Sequence, residues 1–85
     1  MVEKSVDVGL ENGLDANVIA VLVQRACKHS ATVHLQIDTK KVNAKSIMGM
    51  MNMCVSKGSP ITIICDGEDE EAAIADIEAY ITTGK

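Results

Sequence analysis

Between Val2 and Ile81 the apolar residues switch repeatedly between alternate spacing and a spacing of three to four, so short strands and helices must interleave within one small chain. Val2, Val6 and Val8 set against Glu3, Ser5 and Asp7 predict a first strand with one buried face. Lys4 interrupts that face, as edge strands tolerate. Glu11 to Gly13 make a turn, and from Ala16 the residues Ile19, Ala20, Val23, Ala26 and Cys27 recur at helical spacing, predicting a helix that ends near Lys28 to Ser30. TVHLQI puts Val33, Leu35 and Ile37 on one face and His34 and Gln36 on the other, and the polar DTKK turns the chain into a short third strand around Val42. KSIMGMMNMCVSKG predicts a short helix opened by Ser46 and closed near Lys57-Gly58, with Pro60 blocking continuation. ITIIC is a fourth strand. DGEDEEAAIADIEAYI is a last helix with an acidic first turn and an inner stripe of Ala73, Ile77 and Tyr80 or Ile81. The order β, α, β, β, α, β, α defines an α+β chain: an open-faced sandwich whose four-stranded, mainly antiparallel sheet is covered on one side by three helices.

With 85 residues the chain suits one domain, spanning 1–85, near the lower size at which one core suffices. It has no Trp or Phe, so that core must be built from aliphatic residues and methionine. A net charge of −4 argues against general nucleic-acid binding, which draws on an excess of Lys and Arg. Cys27, Cys54 and Cys65 are odd in number and lie in apolar runs, which fits reduced core thiols and a cytoplasmic location better than a secreted disulfide framework. No stretch approaches the roughly 18 to 20 apolar residues of a membrane span, and MVEKSVDV lacks the layout of a signal peptide, so the whole chain reads as mature protein. Cys27 and His29 form one close pair with no second pair to complete a metal site, and His34 lies on the polar face of its strand. Neither histidine is an evident base for a Cys or Ser nucleophile, and the glycine motifs of nucleotide sites are absent. No metal, cofactor or catalytic residue is expected.

Two places hold more information. Asp15, in GLDANVIA, stands where a helix begins and can cap its free amides. In VNAKSIMGMM a serine opens a helix too short to bury all of Ile47, Met48, Met50, Met51 and Met53, so some of these face water. Exposed apolar residues beside a modifiable serine suggest a docking surface, and methionine suits one because it is flexible and polarizable. The plainer alternative is that Ser46 is only a cap and the methionines fill core gaps. Lys40, Lys41 and Lys45 lie close by and are equally compatible with a solvated face.

GLDANVIAVLVQRA, VNAKSIMGMM and GEDEEAAIADIEAYI, in that order, resemble the HPr family, the histidine-containing phosphocarriers of the bacterial sugar phosphotransferase system, over nearly the whole chain. The resemblance implies the same open-faced sandwich. It also implies that the family's phosphoryl-accepting histidine is replaced by Asp15, the arginine that steadies the phosphoryl group by Asn17, and a proline by Val18. A histidine supplies a neutral nitrogen nucleophile near neutral pH, whereas Asp15 would give a more labile acyl phosphate. The Crh-like type within the family also lacks the active histidine, and the serine matching Ser46 is there phosphorylated by HPr kinase/phosphorylase to make a partner for catabolite control protein A. By this resemblance the chain is a non-enzymatic regulator with its switch at Ser46 and its docking surface at Ile47, Met48 and Met51 with the Asp15 and Asn17 edge. A phosphate would add about −1.5 to −2 charges at a helix start, changing the surface far more than the fold. The alternatives are a phosphocarrier that uses Asp15 as acceptor and an HPr-fold module with another partner. The expected state is a monomer or a dimer formed by exchange of the first strand.

Overall fold

The computed structural model describes residues 1–52 and 55–85. Strand β1 (Val2–Asp7) leads to helix α1 (Ala16–Cys27), then to β2 (Thr32–Ile37) and β3 (Lys40–Asn43). Helix α2 (Ile47–Met51), β4 (Pro60–Asp66) and α3 (Glu70–Thr83) complete the chain. All pairings are antiparallel, in the order β1-β4-β2-β3. The expected α+β open-faced sandwich is therefore the architecture, with α1, α2 and α3 covering one face.

Register follows from burial. Val2, Lys4 and Val6 stand opposite Cys65, Ile63 and Ile61 of β4, and Val33 and Leu35 of β2 stand opposite Cys65 and Ile63, so one row of apolar residues crosses the sheet beneath the helices. A slip by one residue would turn that row to water. Ile19, Leu22 and Ala26 of α1 and Ala73, Ile77 and Ile81 of α3 close over it. Lys4 falls on this covered face but at the edge, and its ammonium reaches Glu78 of α3 at 2.7 Å. The β2–β3 hairpin turns through Asp38, whose φ of 54° lies in the left-handed region that Asp tolerates better than most residues.

Two expectations need correction. α2 stops at Met51 with Asn52 as its C-cap, well before Lys57-Gly58, because Val55 is buried and gives its carbonyl to the Leu14 N–H. Gly58 (φ 88°) instead makes the turn that carries the chain into β4. Cys27 is exposed, since the buried stripe of α1 ends at Ala26 and the next residue points about 100° away from it. Cys65 is a buried thiol as expected, and burial followed by the nearby Glu70 and Asp69 charges pushes its pKa up to about 11. Tyr80 is only partly buried, so Ile81 completes the α3 stripe. Met53 and Cys54 lie outside the described residues.

Candidate functional site

The start of α1 is held by backbone. Gly13 has φ 66°, and a Cβ added there would sit 2.0 Å from the Val55 carbonyl oxygen, so the close approach requires glycine. Leu14 then donates its N–H to that same carbonyl at 3.0 Å. These contacts fix the extended Asp15 (φ −82°, ψ 179°) as N-cap, with its Oδ1 accepting from the Val18 N–H at 2.9 Å. Such a cap is worth about 0.5–2 kcal/mol. Asp15 is half-buried, Ala16 and Asn17 are exposed, and Val18 packs against the core.

Ser46 opens α2 from an extended conformation, and its Oγ accepts from the Gly49 N–H at 3.4 Å, a long cap bond. α2 buries Met50 completely and leaves Ile47 45%, Met48 80% and Met51 47% exposed. The expectation that some of these residues face water therefore holds for those three, and Met50 is core. The helix lies on α1 and reaches β3. Its two ends are tied to opposite ends of α1: Lys45, just before it, donates from Nζ to the His29 carbonyl at 2.8 Å, and Val55, just past it, binds Leu14. Asp15 and Ser46 thus sit toward opposite ends of α2, with the exposed methionines between.

A cluster that sequence reasoning missed lies where α1 meets α3. The His29 ring is held between two carboxylates, Nδ1 3.3 Å from Asp69 and Nε2 2.9 Å from Asp76. The other oxygen of Asp76 accepts from Arg25 Nη1 at 3.0 Å, and the Arg25 guanidinium lies 4.5 Å from the Tyr80 ring centroid. Asp69 accepts from the Ala31 and Ser30 N–H groups at 2.7 and 3.0 Å; these bonds, Ala31 first and Ser30 next among those that lower it, hold its pKa below the usual carboxylate range, with His29 adding to the effect. The His29 side chain is accordingly only 17% exposed. The partners are far apart in sequence, so no local pattern announces them. Among the described residues no group of His, Cys, Asp and Glu could hold a metal ion, and no helix is long and apolar enough to cross a membrane.

A four-stranded antiparallel sheet covered on one side by three helices, with Asp15 at the head of α1 and Ser46 at the head of α2, is the fold of the small phosphocarrier class. The chain belongs to the HPr family: the model described as "PTS HPr component phosphorylation site" matches residues 2–83. It is 47% identical over 81 residues to the HPr-like protein Crh of Bacillus subtilis, covering 95% of both chains. The crystal structure of HPr-C-His from Thermoanaerobacter tengcongensis superposes with a TM-score of 0.91 at 39% identity, over 100% of this chain and 98% of that one. The crystal structure of Bacillus subtilis Crh, a dimer with a swapped domain, superposes with a TM-score of 0.76 at 47% identity, over 95% of this chain and 93% of that one.

Proposed function

We propose that this chain is a Crh-like regulatory member of the HPr family, phosphorylated on Ser46 by HPr kinase/phosphorylase and acting in the cytoplasm through protein partners, without catalysing a reaction itself. The observation that carries the reading is the contrast between the two helix starts. At the family's acceptor position, one carboxylate oxygen of Asp15 is engaged by the Val18 N–H. Ser46, by contrast, is exposed and lies beside a rim of exposed Ile47, Met48 and Met51 that a partner can cover. The same rim supports catabolite control protein A as a partner. Asn17 weakens that pairing, because it removes the arginine cation that the family brings to the repressor, so the kinase is the better-supported partner.

One observation favours a second reading, a phosphocarrier using Asp15: only Oδ1 of that carboxylate is in the cap bond, and the residue is half-buried, not enclosed. Incubation with HPr kinase/phosphorylase and ATP, and separately with Enzyme I and phosphoenolpyruvate, followed by mass spectrometry, separates the two. A single phosphate on Ser46 from the first and no lasting label from the second is the expected result. Label from Enzyme I that Asp15→Ala abolishes would establish the carrier instead. No label from a kinase active on ordinary HPr would remove the switch.

A further inference from the structure

The turn that presents Ser46 is tethered more heavily than a helix cap requires. Ala44 is buried and donates its N–H to the Val33 carbonyl at 2.8 Å. Asn43 then holds the next two amides: its Oδ1 accepts from the Lys45 N–H at 2.9 Å and its carbonyl from the Ser46 N–H at 3.0 Å. The Lys45 side chain does not run out into water. It is partly buried, and its ammonium donates to the His29 carbonyl at 2.8 Å. Among the described residues no carboxylate lies within 4.0 Å of it, so the lysine is not there to complete an ion pair.

A lysine ammonium is strongly hydrated and long side chains of this kind ordinarily keep the charge in solvent, so folding one against a neutral carbonyl needs a reason. Part of that reason is electrostatic, since the end of α1 is the negative end of its dipole. The anchor is also fixed, because the His29 ring is gripped by Asp69 and Asp76. We infer that Lys45 is a positioning residue for modification of Ser46: by tying the turn to the end of α1, it holds the Ser46 hydroxyl at a set place and angle beside the apolar rim. This rests on the Ser46 reading above. In the step concerned, Ser46 Oγ attacks the γ-phosphorus of ATP, its proton passes to a base of the kinase, and the bond from that phosphorus to the ADP oxygen breaks. An acceptor hydroxyl that is free to swing loses rate in such a transfer even when docking is intact.

The test uses the full chain with HPr kinase/phosphorylase and ATP, alongside amide hydrogen exchange at Ser46, which needs no kinase. Lys45→Met is expected to lower kcat by about tenfold while KM stays within about twofold, because Ile47, Met48 and Met51 are untouched. Asn43→Ala, which removes the side-chain bond to the Lys45 amide without changing charge, should act in the same direction, and Lys45→Arg should recover part of the rate. Exchange of the Ser46 amide should quicken by about tenfold in Lys45→Met and Asn43→Ala, with α1 and α3 protected as before. Unchanged kcat in Lys45→Met would overturn the inference. So would a raised KM with unaltered Ser46 exchange, which would make Lys45 a direct contact of the kinase. If the unmodified chain takes no phosphate at Ser46, the functional reading fails, but the tether is still judged by exchange: an unaltered Ser46 amide in Lys45→Met overturns it independently.

Discussion

Met48 and Met50 lie two residues apart in a helix of five, and they should respond to substitution in opposite ways. Met48 is 80% exposed, and full burial of a methionine side chain stabilises by about 1.5–3 kcal/mol, so the covered fifth contributes about 0.3–0.6 kcal/mol. In Met48→Asp that loss is offset, because a carboxylate at the second helical position gains about 0.3–1 kcal/mol from the helix dipole. Its stability should stay within about 0.5 kcal/mol of the parent. Met50 is 0% exposed and sits in the shared core, so Met50→Ala should cost about 2–5 kcal/mol, the removed methylenes and thioether plus the cavity they leave. Urea denaturation at neutral pH measures both, with m unchanged as the sign that the denatured state is not the cause. In the same preparations Met48→Asp, although folded, should lower kcat/KM for Ser46 phosphorylation by about tenfold, as loss of an exposed anchor does at an interface. A loss above about 2 kcal/mol in Met48→Asp would show that Met48 is core and that no docking rim exists there. A negligible loss in Met50→Ala would undo the placement of α2 itself.

The Asp69 pKa is lowered in the folded chain, chiefly through the Ala31 amide, so its stabilising effect is present at neutral pH and is lost as pH falls through its folded value. Asp69→Asn should therefore melt below the parent at pH 7 and approach it in acid, and a constant gap in melting temperature across that range would refute the assignment. Asp15→His should lose the α1 cap, at a cost of about 0.5–2 kcal/mol in urea, and with Asn17→Arg should accept some label from Enzyme I and phosphoenolpyruvate. Asp15→His alone should accept less, and no label on the double variant would mean that the Enzyme I docking surface has diverged as well.

Periodicity revealed the elements because each strand and helix buries one face, and that requirement is written locally. It is why TVHLQI could be placed to the residue as β2, with His34 and Gln36 on the polar side. The end of α2 was not legible, because no breaker stands at Asn52; what stops the helix is a tertiary demand, the burial of Val55 and its bond to Leu14. Cys27 was misjudged for a related reason: one step beyond Ala26 a helix has turned a side chain from core to solvent, and composition does not record that angle. Asp15 as a cap and Ser46 as a helix start were both readable from residue type. Lys45 reaching His29, and His29 held by Asp69 and Asp76, were not, since nothing in a run of charged residues says which of them is needed by a distant backbone.

That difference bears on how far the two helix starts depend on each other. The tether between Leu14 and Val55 holds the head of α1 through backbone atoms, and Asp15 adds a side-chain cap to that frame. The tether between Lys45 and His29 sits at the other end of α2, and His29, just past α1, is held by Asp69 and Asp76 and not by position 15. Chemistry at the two helix starts is therefore separable, while Ile47, Met48 and Met51 lie between them on one short helix. On the reading proposed above, a phosphate on Ser46 changes the charge beside this rim while the Asp15 cap bond stays as it is.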